Sequence, residues 1–465
     1  MSPNSHSTNT ITQNGYKKKT TEEKIHPKSQ TLREKQFVIR NSVLTDLFEK
    51  VPSVVTIQSV FGATTISLFL SIILKDYLEI GEVTLGIYLI RAAFRKLHIA
   101  ALLWICYLLV TCSIFYVFQL WAVVRLKLIT NRKFIKIWDR SWSAALLVFY
   151  ILCFRTTSTL VEYFKLPEAS SAIILFEQIR LVMKIHAFVR YNAERIVKYK
   201  PHTEQELTWA KFNQYVYFLF APVLLYRDEY PRTKAIRWDF VLARMGEVIG
   251  VIVYQCFIYH RFIFPSYKDF GIRKYTWVEV LAPALAENSV PGVLILLAGF
   301  YVTLHSVQNL FAELLRFGDR QFYKDWWTSL SLAEYFRTWN IVVQDWLYAH
   351  VYWDVYQLTN SKIAGKLTVF LISVVVHEWV MTYIFGFFYP ALSYSFLTAV
   401  IVSFIKIPKF RFSNLIFWYL ITFGSGIINS LCTLEYYARV NQPASDMSSW
   451  KHYFLPRWYT CDCIV

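Results

Sequence analysis

The chain is poor in cysteine, with seven residues among 465. Most of them lie within apolar stretches, where a thiol packs as a small hydrophobic side chain. Cys461 and Cys463 are separated by one residue, whereas metal-binding pairs are usually separated by about two to four. The sequence therefore predicts neither a disulfide framework nor a metal site.

Long stretches of the chain carry no charge, although Lys and Arg (49) outnumber Asp and Glu (32) and the net charge is +17. A helix needs about 20 mostly apolar residues to cross a bilayer. We predict membrane-spanning helices at 51–74, 99–124, 141–164, 240–264, 288–312, 367–389, 391–405 and 413–434, and 170–191 is a further candidate. Because the basic residues flank these runs, they indicate topology and contacts with anionic headgroups, and they argue against a nucleic-acid partner.

The sequence contains no internal repeat, and no signal-peptide pattern precedes the first long apolar run near residue 51. Residues 1–35 are polar and rich in Ser, Thr, Asn and Lys, so we expect a disordered tail. Residues 36–465 are expected to form one all-α transmembrane bundle of about eight to ten spans. The first part of that domain, 36–50, has amphipathic spacing and is expected to lie along the membrane surface.

Two features of the charge distribution bear on topology. Basic residues cluster in the N-terminal tail and again at 125–140, two predicted spans later, so the positive-inside rule places the N-terminus in the cytosol. The stretch 170–191 carries Arg180 and Lys184 within its apolar pattern. It is either a span whose charges face protein or a helix at the membrane interface, and the sequence leaves both open.

His377 lies near the middle of the predicted span 367–389, with Glu378 beside it and Ser373 one helical turn earlier on the same face. Ionisable groups at this depth are costly and usually mark a functional path. An imidazole can also accept a proton near neutral pH. His377 is therefore a candidate general base, and the competing interpretation is a histidine whose hydrogen bonds are satisfied by a neighbouring helix.

The segment 322–352 combines many Trp and Tyr residues with acidic and basic ones. Such a mixture is typical of a helix-rich segment at the level of the headgroups. It could also hold a large anionic ligand, because basic side chains bind phosphates and aromatic rings stack on a base. Composition alone does not separate an interfacial belt from a binding site.

Seven segments together resemble the sterol O-acyltransferase branch of the membrane-bound O-acyltransferase family. They are FEQIRLVMKIHAFVR (176–190), YRDEYPRT (226–233), FAELLRFGDR (311–320), FYKDWWT (322–328), RTWN (337–340), VVVHEW (374–379) and PRWYTC (456–461). The resemblance extends from about residue 36 to the C-terminus. The diacylglycerol acyltransferase branch shares the fourth and fifth segments, whereas YPRT and the C-terminal segment favour the sterol branch.

The resemblance implies a nine-span enzyme of the endoplasmic reticulum with the fold of that family. Such enzymes transfer a long-chain acyl group from acyl-coenzyme A to a sterol hydroxyl and so form steryl esters. Acyl-coenzyme A is then a co-substrate, and no separate cofactor is implied. The expected partners are acyl-coenzyme A, a sterol and membrane lipids, and the family implies a homodimer or a dimer of dimers.

The resemblance also implies roles for individual residues. His377 corresponds to the catalytic base, Asn340 to its catalytic partner, and His305 to a histidine near the sterol end of the site. Ser373 is expected either to orient His377 through its side chain or to pack the helix. The positions that correspond to the lining of the coenzyme A channel are Tyr335, Arg337, Trp339, Tyr352 and Lys362.

The chain departs from the family pattern at four positions. Thr328 replaces Asn, Trp379 replaces Tyr, and Gln344 replaces His, so position 344 cannot carry a proton. Gln442 replaces the Cys that pairs with the tail cysteine, here Cys461, so the disulfide of the family is expected to be absent. None of the four removes His377 or Asn340.

Three other functions compete with sterol esterification. A diacylglycerol acyltransferase or a wax-forming relative would use the same chemistry on another alcohol. A transporter or scramblase could use an intramembrane histidine as a proton relay, although such proteins often contain paired repeats and broken helices. An inactive member of the family could bind sterol as a scaffold.

Overall fold

The computed structural model describes residues 34–83, 85–200, 207–404, 412–443 and 454–465. Within these ranges the chain is helical, and β structure is limited to isolated bridges. The predicted all-α fold class is therefore confirmed. The predicted disordered tail lies, up to residue 33, outside the described residues, and the residues from Gln36 onward form one compact unit.

The first half of the chain alternates long helices with short ones. They are α1 (Val43–Lys50), α2 (Pro52–Ile80), α3 (Ile87–Ala93), α4 (Leu97–Lys127), α5 (Arg132–Tyr163), α6 (Glu168–Lys198), α7 (Phe212–Phe220), α8 (Trp238–Ile258) and α9 (Trp277–Ala282). Two π-helical turns, Tyr259–Ile263 and Pro283–Glu287, and a 3-10 turn, Phe264–Ser266, extend α8 and α9.

The second half is more interrupted. Its helices are α10 (Ser289–Phe300), α11 (Val307–Leu314), α12 (Leu332–Thr338), α13 (Ile341–Leu347), α14 (Trp353–Thr359), α15 (Lys362–Phe385), α16 (Ala391–Phe404), α17 (Ser413–Asn441) and α18 (Arg457–Thr460). The π turns Tyr301–Ser306 and Tyr348–Tyr352 join α10 to α11 and α13 to α14, and Trp326–Thr328 is a 3-10 turn. π turns inside α-helices often mark functional sites.

Among the described residues, seven helical segments are long and apolar enough to cross a membrane. They are Pro52–Ile80, Leu97–Lys127, Arg132–Tyr163, Trp238–Ser266, Ser289–Leu314, Lys362–Phe385 and Ser413–Asn441. A shorter apolar helix covers Ala391–Val402. The protein is therefore a multi-pass membrane protein, and the predicted total of about nine spans stays a prediction.

Two charged residues of α6, Arg180 and Lys184, contact protein, and the choice between a span and an interfacial helix for this stretch stays open. Lys184 is buried, and its Nζ donates to the carbonyl oxygens of Phe218 and, at 2.7 Å, Ala221. Arg180 donates to the carbonyl of Leu219. The last carbonyls of a helix have no partner within it, so the two cations satisfy the end of α7 and complement its dipole.

The N-terminal segment 36–42 is not helical, so a helical amphipathic pattern holds only for Val43–Lys50, and the position along the membrane surface stays a prediction. The backbone of Arg40 pairs with the loop after α11, and its guanidinium binds Asp319 at 2.6 and 3.1 Å. These bonds hold the segment against the bundle in place of a helical conformation. Only Val43–Lys50 is helical.

Small residues bring α10 and α17 into close contact. A Cβ atom at Gly292 would lie 2.6 Å from the backbone nitrogen of Gly426, and one at Gly426 would lie 2.7 Å from Cα of Ser289. Asn288 also donates to the hydroxyl of Ser430 at 2.9 Å. Glycines at a crossing let two membrane helices pack through their backbones, and this contact fixes α17 beside the aromatic side chains of the candidate site.

The C-terminal tail contains a disulfide between Cys461 and Cys463. The sequence predicted no disulfide framework, and this disulfide corrects that prediction, because the turn after α18 brings the two side chains together. Gln442, which occupies the position of the pairing cysteine in the family, instead donates from Nε2 to the carbonyl of Gly271 at 2.8 Å. The tail is also fixed by Glu435, which accepts from the backbone nitrogen of Arg457 at 2.8 Å.

Candidate active site

Asn340 lies at the junction of α12 and α13, where the backbone becomes extended for one residue. Its Oδ1 accepts a hydrogen bond from the backbone nitrogen of Val343 at 3.1 Å and so caps α13. The backbone nitrogen of the next residue, Ile341, donates to the carbonyl of Phe322 at 2.9 Å, which fixes the junction to the 322–328 segment. Since Oδ1 is the capping atom, the Nδ2 group remains as a donor, and it has no hydrogen-bond partner among the described residues.

His377 lies in the second half of α15. Its Nδ1 is 2.7 Å from the carbonyl oxygen of Ser373, one turn earlier. A carbonyl oxygen can only accept, so Nδ1 carries the proton, and in a neutral ring Nε2 is then an acceptor. Nε2 has no hydrogen-bond partner in the described part of the chain, and the side chain is exposed. The orienting contact comes from the backbone of Ser373 rather than from its hydroxyl, which differs from the predicted side-chain contact.

Two phenylalanine rings connect the surroundings of His377 to the helix that precedes Asn340. The ring of Phe396 in α16 lies 5.3 Å from the imidazole, and the ring of Phe336 in α12 stacks on Phe396 at 5.8 Å. Phe336 is one helical turn before Asn340. His377 therefore faces α16, and Phe396 contacts both its ring and that of Phe336, although no hydrogen bond joins His377 directly to Asn340 within the described ranges.

Glu378 turns away from His377 and toward the start of α16, as the helical angle between neighbouring residues predicted. It is buried, and its Oε2 accepts from the backbone nitrogen of Ser393 at 2.9 Å and from the Ser393 hydroxyl at 2.6 Å. The first turn of a helix has backbone N–H groups without partners. Glu378 thus anchors α16, the helix that carries Phe396.

His305 lies in the π turn between α10 and α11 and is completely buried. Arg244 donates to its Nε2 at 2.7 Å, and a guanidinium cannot accept, so the ring proton is on Nδ1. Nδ1 lies 2.6 Å from the hydroxyl of Tyr323. Burial raises the pKa of the Tyr323 phenol, which keeps it protonated. Both nitrogens of His305 are therefore engaged within the protein.

Two of the predicted channel positions, Tyr335 and Trp339, lie in a cluster of aromatic rings. Trp339 packs against Trp326 at 4.6 Å and against Phe300 at 4.9 Å, and Tyr335 packs against Phe417 at 5.7 Å. Tyr335 is buried and Trp339 is half-buried. The cluster holds α12 against α10 and α17, so these two side chains support the wall of the site.

The remaining channel positions are Arg337 in α12, Tyr352 in the π turn before α14 and Lys362 at the start of α15. Arg337 and Lys362 are exposed, and neither has an ion-pair partner among the described residues. Tyr352 packs on α15, because a Cβ atom at Gly365 would lie 2.8 Å from its ring. A left-handed Asn360 (φ 52°) ends α14 and Ser361 caps α15, so the chain turns sharply just before Lys362.

Three of the four departures make local contacts. The Thr328 hydroxyl donates to the carbonyl of Asp325 at 2.7 Å, and Trp379 donates from Nε1 to the hydroxyl of Ser158 at 3.1 Å. Gln344 lies one turn after Asn340 and donates its backbone nitrogen to the Asn340 carbonyl at 3.0 Å. None of these contacts involves the side-chain polar atoms of His377 or Asn340.

Sequence reasoning missed Phe396 and Ser393, the two α16 residues that support His377 and Glu378. Both lie in an apolar stretch without any distinguishing spacing, and their role depends on how α16 packs on α15. Within the described ranges no group of three or more His, Cys, Asp or Glu side chains is placed to hold a metal ion.

The chain is similar to known acyltransferases over most of its length. The profile of the membrane-bound O-acyltransferase family, MBOAT, matches residues 97–436, which include Asn340 and His377. Sterol O-acyltransferase 1 of Cricetulus griseus is 37% identical over 438 residues, covering 92% of this chain and 79% of that protein. Sterol O-acyltransferase 1 of Mus musculus is 38% identical over 435 residues (92% and 79%), and sterol O-acyltransferase 2 of Homo sapiens is 32% identical over 443 residues (92% and 81%).

These matches confirm the resemblance that the sequence motifs indicated, and they identify the protein as an acyltransferase enzyme. The match to the family covers the helices that carry the candidate site, from α4 to α17. The chain belongs to the membrane-bound O-acyltransferase family.

Proposed function

We propose that this enzyme transfers a long-chain acyl group from acyl-coenzyme A to a sterol hydroxyl, with His377 as the general base and Asn340 as its catalytic partner. The names of the similar proteins support the sterol as acceptor. One observation supports the roles of the two residues. Each has one polar atom bonded to the backbone of its own helix and leaves the other free, Nε2 in His377 and Nδ2 in Asn340.

The base acts on the alcohol. A sterol hydroxyl is a poor nucleophile at neutral pH, and the free Nε2 of His377 accepts its proton as the oxygen attacks the thioester carbonyl carbon. A C–O bond forms, the C–S bond breaks, and the imidazolium returns the proton to the departing thiolate of coenzyme A. General base catalysis of this kind contributes roughly 10²- to 10⁴-fold in rate.

Asn340 stabilises the charge that develops on the carbonyl oxygen. Its Oδ1 is held by the nitrogen of Val343, so the orientation of the Nδ2 donor is fixed before the reaction begins. A preorganised donor aimed at a developing oxyanion is worth about 10²- to 10³-fold in rate. The pair thus provides an acceptor for the proton and a donor for the oxyanion.

The other site residues bind and position the substrates. Exposed Arg337 and Lys362 supply positive charge for the phosphates of coenzyme A, whereas Tyr335 and Trp339 support the wall behind them. Acyl-coenzyme A is a co-substrate, and the proposed reaction needs no separate cofactor. His305 is assigned to the sterol end of the site by the resemblance.

The enzyme is further proposed to reside in the endoplasmic reticulum membrane with its N-terminus in the cytosol, and to form a homodimer or a dimer of dimers. The basic cluster between α4 and α5 supports the orientation through the positive-inside rule. Protease protection of an N-terminal epitope in microsomes tests the orientation, and light scattering of the purified protein tests the assembly.

Product identification tests the proposed reaction. The full-length chain is reconstituted in nanodiscs and given labelled oleoyl-coenzyme A with equal amounts of cholesterol, a diacylglycerol and a long-chain alcohol. We expect labelled steryl ester, and none from a His377→Ala protein of unchanged thermal stability. If the labelled product were triacylglycerol or wax ester, the acceptor would be a diacylglycerol or a long-chain alcohol and not a sterol. If no ester formed, the protein would be an inactive scaffold.

A further inference from the structure

The turn between α4 and α5 carries a set of basic side chains that the proposed reaction does not use. We call the set the α5 basic face; its members are Lys127, Arg132, Lys133, Lys136 and Arg140. All are exposed, and none has an ion-pair partner in the described part of the chain. The residues at positions 133, 136 and 140 are spaced by three and four, so they project from one side of α5.

The one acidic residue in this part of α5 does not neutralise the α5 basic face. Asp139 is bound by Nε of Arg125, which lies 3.1 Å from each of its carboxylate oxygens. Arg125 is buried between the helices and also donates to the carbonyl of Ile196 at 3.4 Å. This internal pair leaves the outer cations without a local counter-charge.

Apolar side chains on the same turns place the α5 basic face at a membrane surface. Phe134 and Ile137 are 59% and 61% exposed, and they alternate with the cations along the helix. On the inner side, Trp138 donates from Nε1 to the carbonyl of Trp121 at 3.2 Å, which keeps the first turns of α5 close to α4. A surface that is both cationic and apolar suits the boundary between headgroups and acyl chains rather than bulk water.

We propose that the α5 basic face is a binding site for the headgroups of anionic phospholipids. Its unpaired cations match the phosphate and carboxylate groups of such lipids, and Phe134 and Ile137 contact the adjoining acyl chains. Basic clusters next to a membrane helix attract anionic lipids in this way. No hydrogen bond or ion pair among the described residues joins the α5 basic face to Asn340 or His377, and we assign it to lipid selectivity rather than chemistry.

Photo-crosslinking in nanodiscs tests the site with the full-length chain. The membrane is phosphatidylcholine with a trace of photoactivatable phosphatidylserine or, in a parallel sample, photoactivatable phosphatidylcholine, and crosslinked peptides are identified by mass spectrometry. We expect several-fold more phosphatidylserine than phosphatidylcholine on the peptides covering 127–142. The excess should fall as salt is raised, because screening weakens exposed charge interactions.

The variant Lys133→Gln/Lys136→Gln/Arg140→Gln should abolish that excess. These side chains are exposed, so we expect an unchanged thermal midpoint. The matched control is Arg91→Gln/Arg95→Gln, which removes two exposed cations near the other end of α4 and should leave the excess at 127–142 intact.

Three results would overturn the proposal. The first is an excess that persists in the triple variant or that does not respond to salt in the native chain. The second is displacement of phosphatidylserine by inorganic phosphate at constant ionic strength, which would make the surface a soluble-phosphate site. The third is a several-fold rise in the Michaelis constant for acyl-coenzyme A in the triple variant, which would make it a surface that guides the substrate.

Discussion

Two histidines of the candidate site lie in apolar helices, and they differ in what their ring nitrogens contact. His305 is completely buried, with Arg244 at one nitrogen and Tyr323 at the other. His377 is exposed, with one nitrogen bonded to its own helix and the other free. A histidine in a membrane span is therefore not by itself a sign of catalysis, because the chemistry depends on which nitrogen remains available.

The local backbone contributes to this difference. His305 lies in a π turn, in a buried group that also includes Asn309 and Ser42. His377 lies in a regular part of α15 and faces the ring of Phe396. We infer that the first histidine stabilises the packing of the bundle, and that the second is placed for proton transfer.

The substitution His377→Ala should have the largest effect on activity and little effect on stability. It removes the proton acceptor, so the turnover number should fall by roughly 10²- to 10⁴-fold. The measurements are esterification by the purified protein and its thermal midpoint. Undiminished turnover would show that His377 is not the base. The two histidines would then not differ in catalytic role.

Asn340→Asp should lower turnover by about 10²- to 10³-fold, because it removes the Nδ2 donor for the oxyanion. Asp caps a helix as well as Asn does, so the bond to the nitrogen of Val343 and the fold should persist. Asn340→Ala is the comparison, since it removes both the donor and the cap. If the Asp variant kept native turnover, Asn340 would act only as the cap of α13.

Much of the membrane architecture could be predicted from the sequence, because spans must be apolar over a fixed length. The predicted run 99–124 lies within the helix Leu97–Lys127, and the run 51–74 begins one residue before the helix Pro52–Ile80. The placement of charged groups could not be predicted in the same way. Lys184 is buried because it binds carbonyls at the end of α7, more than thirty residues later in the chain.

The two candidate catalytic residues could be predicted from sequence motifs. The contacts that hold their helices in place could not. His377 and Asn340 stand in segments that resemble a known family, and their positions at a helix face and a helix cap agree with the proposed chemistry. The anchoring of α16 by Glu378 and Ser393 depends on contact between two helices. No spacing within either apolar stretch encodes that contact, so only the structure reveals it.

His305→Ala should affect stability more than chemistry. It removes one hydrogen bond of Tyr323 and one of Arg244, which keeps its ion pair with Glu247 at 2.6 Å, and losing a buried hydrogen-bond partner typically costs about 1–3 kcal/mol in the free energy of unfolding. Thermal unfolding of the purified protein measures the loss, and Thr303→Ala, at an exposed position in the same π turn, is the matched control. A stable His305→Ala protein with strongly reduced turnover would instead place His305 in the catalytic machinery.

The smallest effect is expected for the two exposed cations that are assigned to the coenzyme A channel, Lys362 and Arg337. Lys362 is fifteen residues before His377 in α15, or about 22 Å along the helix, so it can meet a phosphate of coenzyme A but not the reacting thioester. Lys362→Ala and Arg337→Ala should each raise the Michaelis constant for acyl-coenzyme A by about 2- to 5-fold, the range for an exposed charge pair. Turnover at saturation should not change, because the interaction is equal in the ground state and the transition state.

Lys75→Ala, near the end of α2, is the control for these two variants. An unchanged Michaelis constant in both test variants would discredit the assignment of these cations to the coenzyme A channel.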